Sequence, residues 1–208
     1  MPIEKKRLFF GSIPFLFLFI LLYLTNLLTP IYEQKIIDLE VKKGKVNIPS
    51  RPLSEAVLFS LKGDFHYTPN HFYSLKNGSK EFYSKVPGNF SGKELGRNYG
   101  YGSYGLELSG LDPNVIYAIQ VPQVFGSCSI AVNGIDLDTQ GQPGINNETE
   151  TPGTRSSQIA FRPLKDGTSN IIINVSNFFN NRGYISGPII LGEASQIGIM
   201  FRGDLIFY

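Results

Sequence analysis

The stretch from Tyr99 to Asp138 constrains the fold more than any other part of the chain. It reads Y-G-Y-G-S-Y-G-L-E-L, then V-I-Y-A-I-Q-V-P, then C-S-I-A-V-N-G-I-D-L-D. Tyr104, Leu106 and Leu108 share one face of the first segment. Val115, Tyr117, Ile119 and Val121 do so in the second, and Cys128, Ile130 and Val132 in the third. Strict period-two alternation of this kind predicts three half-buried strands. The third runs into Asn133-Gly134, two residues that accept positive φ, and Ile135 and Leu137 carry the alternation onward, which predicts a tight hairpin.

A chain of 208 residues with a leader has room for one well-cored domain. With 22 Gly, 13 Pro, 16 Phe and 11 Tyr, it is suited to short strands and tight turns. The formal charge is only +2, and Lys5, Lys6 and Arg7 sit at the extreme N-terminus, so no basic stripe remains for a nucleic-acid backbone. The single cysteine, Cys128, excludes an intrachain disulfide framework and reads as a small core residue.

Lys5-Lys6-Arg7 precedes an uncharged run from Leu8 to Leu28, the length that a helix needs to cross a bilayer. The run ends L-T-N-L-L-T-P without a small-residue cleavage site, which favours an uncleaved signal anchor over a cleaved signal peptide. Positive charge before the run and none directly after it places the N-terminus in the cytoplasm. The rest of the chain is then extracytoplasmic, periplasmic or extracellular.

Further along, Ile31 to Val41 can be a strand or a juxtamembrane helix, and Lys42 to Lys45 is a turn. Strands are expected at Ala56 to Leu61, ending in a turn at Gly63-Asp64, then at Phe65 and Tyr67 up to Pro69, at Phe72 to Leu75 and at Phe82 to Val86. Thr139 to Ser157 carries one aliphatic residue, Ile145, and reads as a long loop, functional or mobile. Gln158 to Arg162, Asn170 to Ser176 and Pro188 to Leu191 complete the strands, with a second irregular loop over Asn177 to Gly187. About eight to ten short strands with frequent turns and no βαβ alternation predict an all-β fold, an antiparallel jelly-roll β-sandwich after an N-terminal transmembrane helix.

The pieces L-K-G-D-F-H-Y, K-V-P-G-N-F, G-Y-G-S-Y-G-L-E-L, I-A-V-N-G, N-V-S-N-F and G-P-I-I-L-G occur in that order from Ser54 to Gly192. The region resembles the galactose-binding-like extracellular domain of bacterial seven-transmembrane receptors with diverse intracellular signalling modules. A similar arrangement occurs in the sugar-binding sandwich domains of family 2 glycoside hydrolases. The resemblance implies a sensor domain that precedes a membrane region and a signalling module, so the chain is expected to be either the N-terminal part of a longer receptor or a free-standing anchored sensor. The resulting layout is a basic start and anchor helix (1–29), a juxtamembrane segment (30–53), the sandwich (54–196) and an apolar tail (197–208) leading toward a missing seven-helix region.

No nucleophile elbow, phosphate loop or close acid–base pair is present, so no enzyme is expected. His66 and His71 flank Pro69 without a third ligand and read as sheet-edge residues. Asp136 and Asp138 are expected on one side of a strand as solvated charges, with calcium as the sharper alternative and no other cofactor. Sugar recognition combines flat aromatic faces with amides and guanidinium groups. Tyr99, Tyr101, Asn146, Asn147, Arg155, Asn180, Arg182 and Tyr184 supply these on or beside the two irregular loops, although turn and sheet-cover roles suit them equally. The expected function is a membrane-anchored ligand-sensing domain for a carbohydrate or another small polar ligand. The alternative is a structural or adhesion module that binds a protein partner.

Overall fold

The computed structural model describes residues 18–21, 23, 35–49, 57–72, 82–89, 99–153 and 155–204. Residues 1–33 and 34–208 form separate units. The expected membrane-crossing run over 8–28 lies outside the described residues except for 18–21 and 23, which are helical. Among the described residues no helix is long and apolar enough to cross a membrane. The expected strand at 72–75 lies outside as well, apart from Phe72.

The second unit is all-β. Its strands are β1 (Lys35–Val41), β2 (Lys45–Asn47), β3 (Val57–Pro69), β4 (Phe82–Val86), β5 (Gly88–Asn89), β6 (Gly100–Ser109) and β7 (Tyr117–Val121). They continue as β8 (Val124–Phe125), β9 (Ser127–Val132), β10 (Ile135–Gln140), β11 (Ser157–Phe161), β12 (Ser169–Asn177), β13 (Tyr184–Ile185) and β14 (Ile189–Glu193). One helix, α1 (Ala194–Asp204), follows. The main sheet runs β10-β9-β12-β6-β3-β14-β7-β11, and β5, β13 and β8 form a small separate sheet.

β3 divides the main sheet into the two leaves of a sandwich. Its first half pairs with β1 and β14, and its second half with β4 and β6. The leaves enclose one core, in which Phe65, Tyr104, Leu108, Ile119, Ile130, Ile173, Ile189 and Leu191 are almost fully buried. Each such side chain contributes about 1.5–3 kcal/mol relative to exposure. The alternation read in Leu106, Leu108, Ile171, Ile173 and Val175 therefore marks the inward faces. The outer face of the leaf that holds β14 and β7 is covered by α1, where Ile197 packs with Leu58 and Ala118.

Three local expectations change. The turn expected at Gly63-Asp64 is absent, and β3 runs straight through it. Gly63 pairs with both Val41 and Val86, at the point where β3 passes from one leaf to the other. A Cβ there would lie 2.4 Å from the Val41 carbonyl oxygen, so the glycine serves close approach and not a turn. Residues 35–47, read as juxtamembrane, supply β1 and β2, both paired in parallel, with β3 and β6 respectively. The apolar tail begins as the helix α1.

Cys128 is completely buried, and burial pushes its thiol up to about 12. It should therefore stay unmodified by an aromatic disulfide reagent in the folded protein and react stoichiometrically once guanidinium unfolds it. Labelling within minutes under native conditions would contradict this packing.

Candidate functional site

Strand register gathers the two irregular loops at one end of the sandwich. Gly100 lies opposite Asn177, Ser127 opposite Ser176, and Gly126 bridges to Gly153. The eight residues singled out from sequence all lie at this end, yet several are occupied with holding it together. Asn146 Oδ1 accepts hydrogen bonds from the Glu148 and Thr149 amides and the Thr149 hydroxyl, capping a turn. Arg155 pairs with Asp138 and donates to the Thr139 carbonyl. Tyr184 stacks on Phe125 at 4.1 Å and 11°, and Tyr101 meets Phe72 edge-on at 5.1 Å. Asn180 closes a turn with Asn177 through its backbone. Tyr99, Asn147 and Arg182 are exposed.

The loop beyond β10, read from sequence as functional or mobile, is crossed by backbone hydrogen bonds. Gln142 and Thr151 exchange backbone hydrogen bonds across it, and Gly153 donates to Gly126. Beneath it Glu150, 5% exposed, accepts from the Ser127 hydroxyl at 3.2 Å and the Phe178 amide at 2.6 Å. Ser176 accepts from the Gly144 amide at 3.0 Å and lies 2.8 Å from Ser127. Burial raises the Glu150 pKa against these hydrogen bonds.

Asp136 and Asp138 do not share a face. A bulge at Leu137 sets Asp136 opposite Ala131 and Asp138 opposite Ile130, so one points outward and the other toward the core side. Ile135 and Leu137 are exposed on this strand, whereas Gln140, beyond the bulge, is buried. Gln140 donates to Ser157 and Pro122 and accepts from the Val124 amide. Desolvation pushes the Asp138 carboxyl up, but hydrogen bonds from Arg155, Ser157 and the Thr139 amide together hold it below its ordinary pKa. Among the described residues no group of three metal-ligating side chains forms.

A concavity lies elsewhere, on the outer face of the leaf that holds β6 and β12. β3 pairs with β6 only over Gly102 to Gly105, and β2 takes its place from Glu107 onward. At this split a groove of about 520 Å³ opens, lined by His66, Tyr83, Gly105, Glu107, Asn170, Ile172 and the Lys42–Lys45 turn. Gly105 opposes both His66 and Ile172 and, having no side chain, leaves the floor open. His66 and Tyr83 stand edge to face at 6.0 Å and form an aromatic wall. Asn170 is held at the opposite side by Asn133, which exchanges two hydrogen bonds with its backbone at 2.8 and 2.9 Å.

The lysine turn closes the groove. Lys42 and Lys45 exchange backbone hydrogen bonds of 3.0 Å, and Gly44 donates to Asp64 and accepts from the Glu107 amide. Lys45 pairs with Glu107 at 2.9 Å and Lys42 with Glu40 at 3.2 Å. His66, assigned from sequence to a bland sheet edge, is therefore a groove wall. The turn itself is legible in K-K-G-K, but its meeting with His66, Tyr83 and Glu107 depends on the register of distant strands.

No family model matches the chain, and no curated protein matches it. Solved structures are similar to part of the chain. A GH2 β-galacturonidase from Eisenbergiella tayi is 14% identical with a TM-score of 0.46, over 62% of this chain and 23% of that one. A β-glucuronidase from an uncultured Clostridium sp. is 13% identical with a TM-score of 0.49, over 64% and 28%. A β-D-glucuronidase of Dictyoglomus thermophilum is 12% identical with a TM-score of 0.49, over 70% and 29%. The chain thus spans between 23% and 29% of the length of these three enzymes. A likeness at this level says nothing of a shared ligand or reaction.

Proposed function

We propose that the chain is a membrane-anchored, extracytoplasmic ligand-sensing module, the input part of a receptor of the kind its motifs resemble. It takes a carbohydrate or another small polar ligand in the groove beside the Lys42–Lys45 turn. The observation that carries this reading is the composition of that groove. An aromatic wall of His66 and Tyr83 and an open floor at Gly105 and Ile172 face a rim of Glu107, Asn170 and lysines. An apolar surface with a few convergent polar groups is the usual make-up of a small-ligand site. Aromatic faces suit the C–H side of a sugar, and the rim supplies donors and acceptors for its hydroxyls. In sequence β1 leads directly from the anchor side into the turn, so a ligand engaging the turn acts on that strand.

Calorimetric titration of the detergent-solubilised chain with monosaccharides and small polar metabolites tests this. Saturable binding of one class should weaken about tenfold or more in Tyr83→Ala, with the loss of a stacking face. Gly105→Leu should abolish it. A Cβ at Gly105 would sit 3.6 Å from the His66 Cβ, an ordinary contact, so the fold accommodates the change while the side chain fills the groove. Binding unaffected by both substitutions would move the site to the loop end, where Tyr99 and Arg182 become the residues to replace.

A further inference from the structure

We infer that the ligand of this groove carries an anionic group, a carboxylate or phosphate, seated against Lys43 while its polar ring lies over Gly105 along the Tyr83 wall. The inference rests on the groove being the binding site. Its basis is the charge distribution around the groove. The lining holds three ammonium groups, those of Lys42, Lys43 and Lys45, against one carboxylate, that of Glu107. Glu107 is engaged by Lys45 at 2.9 Å, and Glu40, outside the lining, engages Lys42 at 3.2 Å. Lys43 has no ion pair among the described residues. Nearby, Asp64 and Lys85 oppose each other across β3 and β4, and Asp38 of β1 pairs with Lys62 of β3 at 2.7 Å.

The position of Lys43 is set by the fold. It occupies the tip of the turn at φ 50°, between the paired Lys42 and Lys45 backbones. The next residue, Gly44, packs so closely that a Cβ would meet the His66 Cβ at 2.9 Å. The ammonium is therefore carried on a docked backbone at the groove mouth. A neutral ligand would offer this cation hydroxyl acceptors but no counter-charge. An anionic one adds charge-assisted hydrogen bonds, which are shorter and about twice as strong as neutral ones.

Three ligands that differ only at C6 separate the cases: glucose, glucuronate and glucose 6-phosphate, titrated against the full chain at low and at moderate salt. The expected result is that at least one charged sugar binds about tenfold tighter than glucose. That advantage should shrink with salt, disappear in Lys43→Ala and survive in Lys43→Arg. Preference for glucuronate over glucose 6-phosphate would identify the anion as a carboxylate, and the reverse as a phosphate. Equal affinity for all three sugars, or a charged-sugar advantage untouched in Lys43→Ala, overturns the inference and leaves the groove standing. If none of the three binds, or if Gly105→Leu leaves every affinity unchanged, the groove reading falls and the inference with it.

Discussion

Gly44→Val is expected to destabilise the sandwich by about 2–3 kcal/mol and to remove ligand binding altogether. Two costs coincide at this position. Gly44 has φ +71°, a conformation in which a β-branched side chain is strained. A Cβ would also lie 2.9 Å from the His66 Cβ, 3.0 Å from the His66 backbone nitrogen and 3.3 Å from the Gly105 carbonyl oxygen. The turn would have to lift off the sheet, breaking the Gly44 hydrogen bonds to Asp64 and Glu107 and carrying Lys43 and Lys45 away from the groove. For a domain of this size the melting temperature should fall by roughly 4–12 °C. Thermal denaturation followed by circular dichroism measures the first effect and titration the second. A variant that melts like the wild type and keeps its affinity would show that the turn does not dock as described.

Glu150→Ala is expected to cost about 1–3 kcal/mol, because the Phe178 amide and the Ser127 hydroxyl would lose their shared acceptor beneath the loop. Glu150→Gln isolates the role of its charge. Burial raises the folded-state pKa of Glu150 above its ordinary value of 4.5. Between the ordinary and the raised pKa the unfolded chain has released the proton and the folded chain keeps it. The contribution is therefore complete below about pH 4.5 and is lost as pH rises through the raised pKa. The melting temperature of the wild type minus that of Glu150→Gln should be greatest near pH 4 and smaller at pH 7.5. Asp38, Asp138 and Asp166 have lowered pKa values, for which stability is lost as pH falls, but they are common to both proteins and cancel in the difference. A difference that is flat or grows with pH would mean that the Glu150 carboxylate is not desolvated as its burial indicates.

These two positions also show what can be read without a structure. The K-K-G-K turn is legible because a Gly after polar residues ends a strand by local backbone geometry alone. Its docking on His66 is not legible, because β2 reaches Glu107 only through a parallel pairing that leaves no periodic trace in either strand. Glu150 reads as one more polar residue in a polar loop. Its burial follows from Ser127 and Ser176 being neighbours on β9 and β12, a matter of register. The bulge at Leu137 likewise has no sequence mark, so Asp136 and Asp138 look paired until the partner strand is known. The Gly63-Asp64 turn fails for the opposite reason. The residue pair does permit a turn, but long-range pairing on both sides holds β3 extended through it.

The all-β class, the inward faces of β6, β9 and β12, and the Asn133-Gly134 hairpin, whose two residues take φ 52° and 81°, are legible in the chain alone. These depend on interactions among residues close in the chain, and strand alternation and turn chemistry record them directly. Long-range pairing instead sets where the two leaves part, which strands run parallel, and the meeting of Lys43, His66, Tyr83, Gly105 and Asn170 around one groove. Those features depend on register between segments far apart in the chain. A one-residue slip in any of them would turn a different set of side chains toward the groove while leaving the local pattern of every strand unchanged.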